Sequence, residues 1–383
     1  MTEKLYYINA YTSDFTATVL SCEAEGERYA VALDRTAFFP EEGGQYADRG
    51  YIGGVRVEDA REIDGVIYHL TAEPVTVGAH LECRIDFDER YEKMQCHTAE
   101  HILSGLIHKH FGLDNVGFHL GDDYVTMDIS GVLTRAELDM IEEEANEAVY
   151  KNAPVTAIFP TAEELPLLEY RAKLDITENV RIVNIEGYDS CACCAPHVAR
   201  TGECGLIKIL DFQKLRGGIR MFITAGRRAL LGYRALFSSA GEISRLLSVP
   251  KEEIADGVEK LLADLEAERT AFKSYRIALI KEKAASLAAC DGNAVVYIEG
   301  ITPEELRIYA TEAYSRVGGI LVAITGAEGD YKYAVASKSV DLKTIIKDIN
   351  AALSGRGGGS SSMAQGAFAK SLDEIENYFL GNK

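Results

Sequence analysis

The stretch HTAEHILSGL, residues 97–106, constrains the fold more than any other part of the chain. His97 and His101 stand four residues apart, Ile102, Leu103 and Leu106 recur at helical spacing, and no proline or glycine intervenes before Gly105. On a helix, residues four apart lie one above the other on the same face. Two imidazoles held in this way grip one metal ion from one side, and two more ligands complete a tetrahedron. CACCAPH, residues 191–197, offers that second pair in Cys193 and His197, again four apart. Cys194 with His197 is a tighter alternative, and a cysteine-only site from Cys191, Cys194 and Cys204 is another.

A chain of 383 residues is too long for one core, so two or three domains are expected. No apolar run approaches the roughly 20 residues that span a bilayer. The N-terminus, MTEKLYYINAYTSDF, lacks the apolar segment of a signal peptide. The expectation is a cytoplasmic protein with no membrane partner, whose eight cysteines are free thiols or metal ligands. A net charge of −20 argues against a general nucleic-acid binder, since phosphate contacts need clustered Lys and Arg. One local basic stretch runs from Arg200 to Arg234 and includes Lys208, Lys214, Arg216, Arg220, Arg227 and Arg228. It reads either as a binding surface or as a solvated charged face.

Residues 1–88 read as a small β-barrel domain, with short runs such as RYAVAL and GVIYHL between turns. Within it, DRTAFFPEEGGQYADRG places Thr36 shortly before Gly43, Gly44 and Gln45. The glycine pair permits positive φ or close backbone approach, and Gln45 directly after it is placed to aim its amide at a substrate or a water. A plain hairpin turn is the simpler reading. Residues 89–112 form the histidine helix, and His119 reads as a structural histidine outside the metal set. A capping box of Thr134 and Glu137 opens a helix over residues 134–151, and PVTAIFP and VRIVNIEGY read as strands around a helical TAEELPLL. In residues 251–289 an apolar seam of Ile254, Val258, Leu261, Leu265, Phe272, Tyr275 and Leu279 has coiled-coil spacing. It serves either packing on its own domain or a homodimer contact. AVVYIEG, GGILVAITG and YKYAVASK then read as strands of a C-terminal α/β domain with helices starting near Pro303 and Asp341.

GGQ, then HTAEH, then a cysteine–histidine motif followed by RTGECGLIKI resembles the editing domain of alanyl-tRNA synthetase. It is still more similar to the free-standing AlaX-type alanyl-tRNA editing proteins. The resemblance assigns His97, His101, Cys193 and His197 as ligands of one Zn2+, which selects Cys193 over Cys194. It sets Gly43, Gly44 and Thr36 at the substrate, and gives Gln45 and Thr36 catalytic roles. CCAPH stands where the synthetases carry two glycines and a threonine between the ligands. The tail SGRGGGSSSMAQGAF resembles the DHHA1 domain, which implies tRNA binding there; Arg356 beside glycine amides is its candidate phosphate contact, alongside Arg216 and Arg220 in the basic stretch. No aminoacylation segment precedes the match, so the chain is expected to edit and not to charge.

The implied architecture is α+β, in four parts. They are an N-terminal barrel (1–88), a zinc-binding α+β editing domain (89–236), a long helical linker (237–290) and a C-terminal α/β DHHA1-like tRNA-binding domain (291–383). The implied reaction is hydrolysis of serine or glycine from the 3′ end of alanine tRNA. Zinc would either activate a water or hold the substrate while a free water attacks, and positioning is the favoured role. Rival readings are a non-catalytic zinc-containing tRNA-binding protein, a threonine-tRNA editor, and an inverted zincin in which Glu100 is the general base. A protease would not survive loss of Glu100, whereas an editing enzyme is expected to tolerate it.

Overall fold

The computed structural model describes residues 1–121, 124–172 and 180–381. They form two compact units, Met1–Glu242 and Ile243–Lys383. Six strands of the first unit hydrogen-bond in a closed ring: β1 (Asp14–Glu25), β2 (Arg28–Leu33), β3 (Gly50–Ile52), β4 (Val55–Ile63), β5 (Val66–Thr71) and β6 (His80–Ile85). The ring order is β1-β2-β5-β4-β3-β6. Side chains alternate along strands, so Ala17, Val19, Val31, Leu33, Ile52, Val57, Ala60, Ile67, Cys83 and Ile85 fill the interior. Phe38 and Phe39, from the loop after β2, plug the same core.

Helix α1 (Phe87–Phe111) follows and ends on Gly112 in the left-handed region. Gly105 does not end it. The backbone of Tyr188 crosses so closely there that a Cβ at 105 would lie 2.3 Å from the Tyr188 carbonyl oxygen. The apolar positions Ala99, Ile102, Leu103, Leu106 and Ile107 are buried against a four-stranded antiparallel sheet. Its strands are β7 (Asn115–Leu120), β8 (Val125–Ile129), β12 (Ile207–Leu215) and β13 (Gly218–Ala225), in the order β12-β13-β8-β7. Helix α2 (Arg135–Lys151) packs on the same core and opens with the Thr134–Glu137 capping box. Between α2 and β12 lies a small sheet of β9 (Val155–Ile158), β10 (Ile182–Ile185) and β11 (Asp189–Ala192). TAEELPLL contains only a 3-10 turn at Leu165–Leu167.

Helices α3 (Gly226–Leu247) and α4 (Ile254–Ala285) cover the expected linker. The seam is exposed along α4: Leu265 is 45%, Phe272 63%, Tyr275 75% and Leu279 66% accessible. It does not pack on its own unit. The remaining chain forms a five-stranded sheet of β14 (Ala294–Tyr297), β15 (Ile320–Thr325), β16 (Tyr331–Ser337), β17 (Arg356–Gly359) and β18 (Met363–Phe368), ordered β14-β15-β16-β18-β17. Helices α5 (Pro303–Ala313), α6 (Leu342–Ala352) and α7 (Leu372–Leu380) accompany it. The glycine-rich tail therefore forms an edge hairpin. Among the described residues no helix is long and apolar enough to cross a membrane.

Candidate metal centre

His97 and His101 project from one face of α1 toward the loop that follows β11. There Cys193 and His197 meet them, and one ligand atom from each of the four lies within 4.8 Å of the others. His97, His101 and His197 are 3%, 3% and 5% exposed. Cys193 Sγ lies 3.6 Å from His97 Nε2 and 3.4 Å from His197 Nε2. A tetrahedron with Zn–S and Zn–N bonds of about 2.3 and 2.05 Å has S···N edges of about 3.6 Å. The donor spacing therefore fits zinc, as does the three-nitrogen, one-sulfur donor set.

Each histidine is oriented from behind. His97 Nδ1 donates to Gln45 Oε1 at 2.9 Å, and His101 Nδ1 donates to Asp189 Oδ2 at 2.9 Å. His197 Nδ1 meets Thr98 Oγ1 at 3.0 Å. These contacts turn the Nε2 atoms toward the cluster and fix the tautomers. Asp189 is itself held by Arg171, whose Nε donates to Oδ1 at 2.8 Å. Burial opposes charge on Cys193, but His97 and His197 hold its thiol well below the ordinary value, in the thiolate form that metals bind. Burial lowers the His197 pKa to about 3, so that ring is neutral. Burial also works against a charged His101, yet Asp189 and Cys193 raise it well above the usual value, so its proton leaves when a metal binds.

The cluster lies at a cavity of about 670 Å3. His97, His101 and Cys193 line it together with Glu100, Arg171, Arg181, Glu41, Glu42 and Gly43. Arg181 donates to the carbonyls of Cys193 and Ala195 at 2.9 and 2.8 Å and braces the cysteine loop. The GGQ loop is pinned from α1: Lys93 Nζ donates to the Ala47 carbonyl at 2.7 Å, and Arg90 binds Asp48 and the Ala37 carbonyl.

Four expectations change. Gln45 is fully buried and outside the cavity lining, with its carbonyl on His97, so its amide is turned toward that ring and not into the cavity. Thr36 is also fully buried and outside the lining. His69 Nδ1 donates to the Val31 carbonyl at 2.9 Å, so His69 Nε2 accepts the Thr36 hydroxyl at 2.8 Å. Gly43 lines the cavity, but Gly44, at φ +82°, backs onto Phe118, where a Cβ would lie 2.4 Å from the carbonyl oxygen. Arg220 is paired with Asp128 through two 2.7 Å bonds, whereas Arg216 is exposed at the β12–β13 turn and Arg356 is exposed on β17. Among the described residues, Cys194 and Cys204 join no ligand cluster, and Cys191 lies with His101 and Asp189. Sequence reasoning missed Thr98 and Asp189. Thr98 stands inside the HTAEH motif, but Asp189 carried no signal.

Three family models match the chain: tRNA synthetases class II (A) over residues 6–89, the threonyl and alanyl tRNA synthetase second additional domain over 180–221, and the DHHA1 domain over 291–379. These matches are to domains of the aminoacyl-tRNA synthetases, with the DHHA1 domain at the C-terminal end. The alanyl-tRNA editing protein AlaX-L of Pyrococcus horikoshii is 27% identical across 98% of this chain and 96% of its own length. The alanine–tRNA ligases of Pyrobaculum neutrophilum and Ignicoccus hospitalis are 31% and 29% identical across 98% and 95% of the chain. The chain spans only 44% and 41% of those two ligases. Along nearly its whole length the chain is similar to a long alanyl-tRNA editing protein, and it carries a DHHA1 match at its C-terminal end.

Proposed function

We propose that this chain is a zinc-dependent deacylase that removes serine, and also glycine, from mischarged alanine tRNA. The observation that carries the reading is the convergence of His97, His101, Cys193 and His197 at a substrate-sized cavity, in a chain aligned nearly end to end with an alanyl-tRNA editing protein. A synthetase pocket built for alanine rejects glycine poorly, because one methyl group is worth about 1–3 kcal/mol, and it rejects an added hydroxyl poorly too. A second, hydrolytic site removes both errors.

A zinc ion bound by the four residues supplies Lewis acidity toward the ester. The protein's own part is orientation. Gln45, Asp189 and Thr98 fix the ligand rings, Arg181 holds the cysteine loop, and Gly43 leaves backbone room at the cavity wall. Arg216 and Arg356, both exposed, contact the tRNA backbone in this reading. The exposed α4 seam serves a homodimer. The test is deacylation of Ser-, Gly- and Ala-tRNA on the alanine acceptor, with metal and after chelation. Metal-dependent loss of serine and glycine, with alanine spared, is expected. Inertness of the metal-loaded protein toward all three would leave a non-catalytic tRNA-binding protein.

A further inference from the structure

Four cations line the cavity at the ligand cluster: Lys4, Arg61, Arg171 and Arg181. Three of them are held by carboxylates, Lys4 by Glu62 at 2.8 Å, Arg171 by Asp189 at 2.8 Å and Arg61 by Glu25. Arg181 is 9% exposed, yet among the described residues it pairs with no carboxylate. Its Nη1 donates to the Cys193 and Ala195 carbonyls, and its Nε is sealed from solvent without a partner. Nη2 has no acceptor among the described residues and is not sealed, so it is the edge that this side chain presents to the cavity. The Tyr7 ring, with its centroid 5.4 Å from the guanidinium carbon, backs the group.

A buried guanidinium is costly unless anions or several acceptors compensate it. Burial works against its charge, and the groups that favour that charge most are the Cys193 thiolate and then Tyr7. That thiolate is also the charge that a bound Zn2+ takes up. Three neutral imidazoles and one thiolate around a divalent ion leave the centre with a net positive charge, and Arg181 adds another beside it. The metal-loaded wall therefore favours an anion.

The reading above supplies one. The acyl end of an aminoacyl-tRNA is cationic, through its α-ammonium, and the ribose is neutral. The permanent negative charge nearest the ester is the phosphate on the 5′ side of the terminal ribose. An ester placed at the metal position holds that phosphate one ribose away. A guanidinium already fixed by two carbonyls and a ring meets it through Nη2 without first having to be ordered.

We propose that Arg181 receives the phosphate of the terminal nucleotide through Nη2, so that the cavity selects aminoacyl esters of a nucleotide over those that lack the phosphate. This rests on the deacylase reading. Guanidinium–phosphate pairing is a charge-assisted hydrogen bond, which corresponds to a preference of about 10- to 100-fold.

The experiment uses the metal-loaded full chain. Binding of the non-hydrolysable 3′-seryl-amide of adenosine is compared with that of the same compound carrying a 5′-methyl phosphodiester. Free serine, which has a carboxylate and no phosphate, is titrated alongside. Wild type, Arg181→Gln, Arg181→Lys and Arg61→Gln are assayed, with metal content measured for each because Nη1 also braces the cysteine loop. The ratio of the two affinities within one protein cancels any metal loss common to both. The expected phosphate preference is about 10- to 100-fold in wild type and in Arg61→Gln, about twofold in Arg181→Gln, and intermediate in Arg181→Lys. Equal affinity of wild type for the two analogues, or none for either, overturns the proposal without any variant. A preference lost in Arg61→Gln but kept in Arg181→Gln overturns it too. So does an undiminished preference in Arg181→Gln, and weakened serine binding in that variant then gives the guanidinium to a carboxylate. Deacylation of Ser-tRNA is followed in parallel. Phosphate-selective binding without turnover sinks the deacylase reading and leaves the anion site standing, whereas turnover without phosphate preference sinks the site alone.

Discussion

Replacing Asp189 by asparagine tests whether the groups behind the ligands set metal affinity. The carboxylate accepts two donors on separate oxygens, His101 Nδ1 at 2.9 Å and Arg171 Nε at 2.8 Å. An asparagine has one acceptor oxygen, so one of these donors then meets an N–H group. The negative charge that makes the His101 ring a better donor to metal is lost in either rotamer. A hydrogen bond to a charged group is worth about 1.5–3 kcal/mol. That range overlaps the 10- to 100-fold loss of metal affinity typical when such an outer partner is removed. Competition against a chromophoric chelator should therefore show zinc binding weakened about 10- to 100-fold. Turnover at saturating zinc should largely return, because all four ligands remain. His119→Ala is the control: His119 meets Tyr46 at 3.3 Å and lies outside the ligand cluster, so affinity should not move. A natively folded Asp189→Asn protein whose zinc affinity is within twofold of wild type refutes the reasoning.

Three further outcomes follow from other parts of the molecule. Burial lowers the His69 pKa from 6.5 to about 4, so between those values the unfolded chain takes up a proton that the folded chain refuses. Stability is therefore fully present above pH 6.5 and falls by about 3 kcal/mol as the pH drops to about 4. Denaturant unfolding across that window should show this component in wild type, and a His69→Gln protein that keeps it would contradict the assignment. Gly44→Ala combines a positive φ with a Cβ 2.4 Å from the Phe118 carbonyl oxygen and should cost about 3 kcal/mol, read as a lowered melting temperature. Arg216→Ala should weaken tRNA binding across sequences and reduce the salt slope by about one ion, as measured by filter binding at several salt concentrations; an unchanged slope removes Arg216 from the interface.

The histidine pair was legible because helical spacing is a local property of sequence, whereas the choice of Cys193 over Cys194 beside His197 came from the resemblance. What orients the ligands was not legible, because each partner arrives from far along the chain. Gln45 reaches His97 over 52 residues, Asp189 reaches His101 over 88 and Thr98 reaches His197 over 99. Proximity in sequence misled the reading of Thr36. It stands near the GGQ turn, but its side chain points into the barrel, where His69 accepts its hydroxyl. The basic stretch, open in sequence between a binding surface and a solvated face, is partly paired in the fold: Glu142, Asp128 and Glu92 come from other segments to meet Lys208, Arg220 and Arg228. Composition counted those cations but not the acids that fold against them. In the second unit the tail RGGG forms an edge strand through main-chain pairing with Met363–Phe368, which needs no side-chain pattern and so leaves none to read. Helix α5 did announce itself, since it starts at Pro303 behind the Thr302–Glu305 capping box. The same contrast explains Glu100. Its place on the histidine face could be read from spacing, but its burial and its clamp depend on Asn115, which β7 brings across the helix.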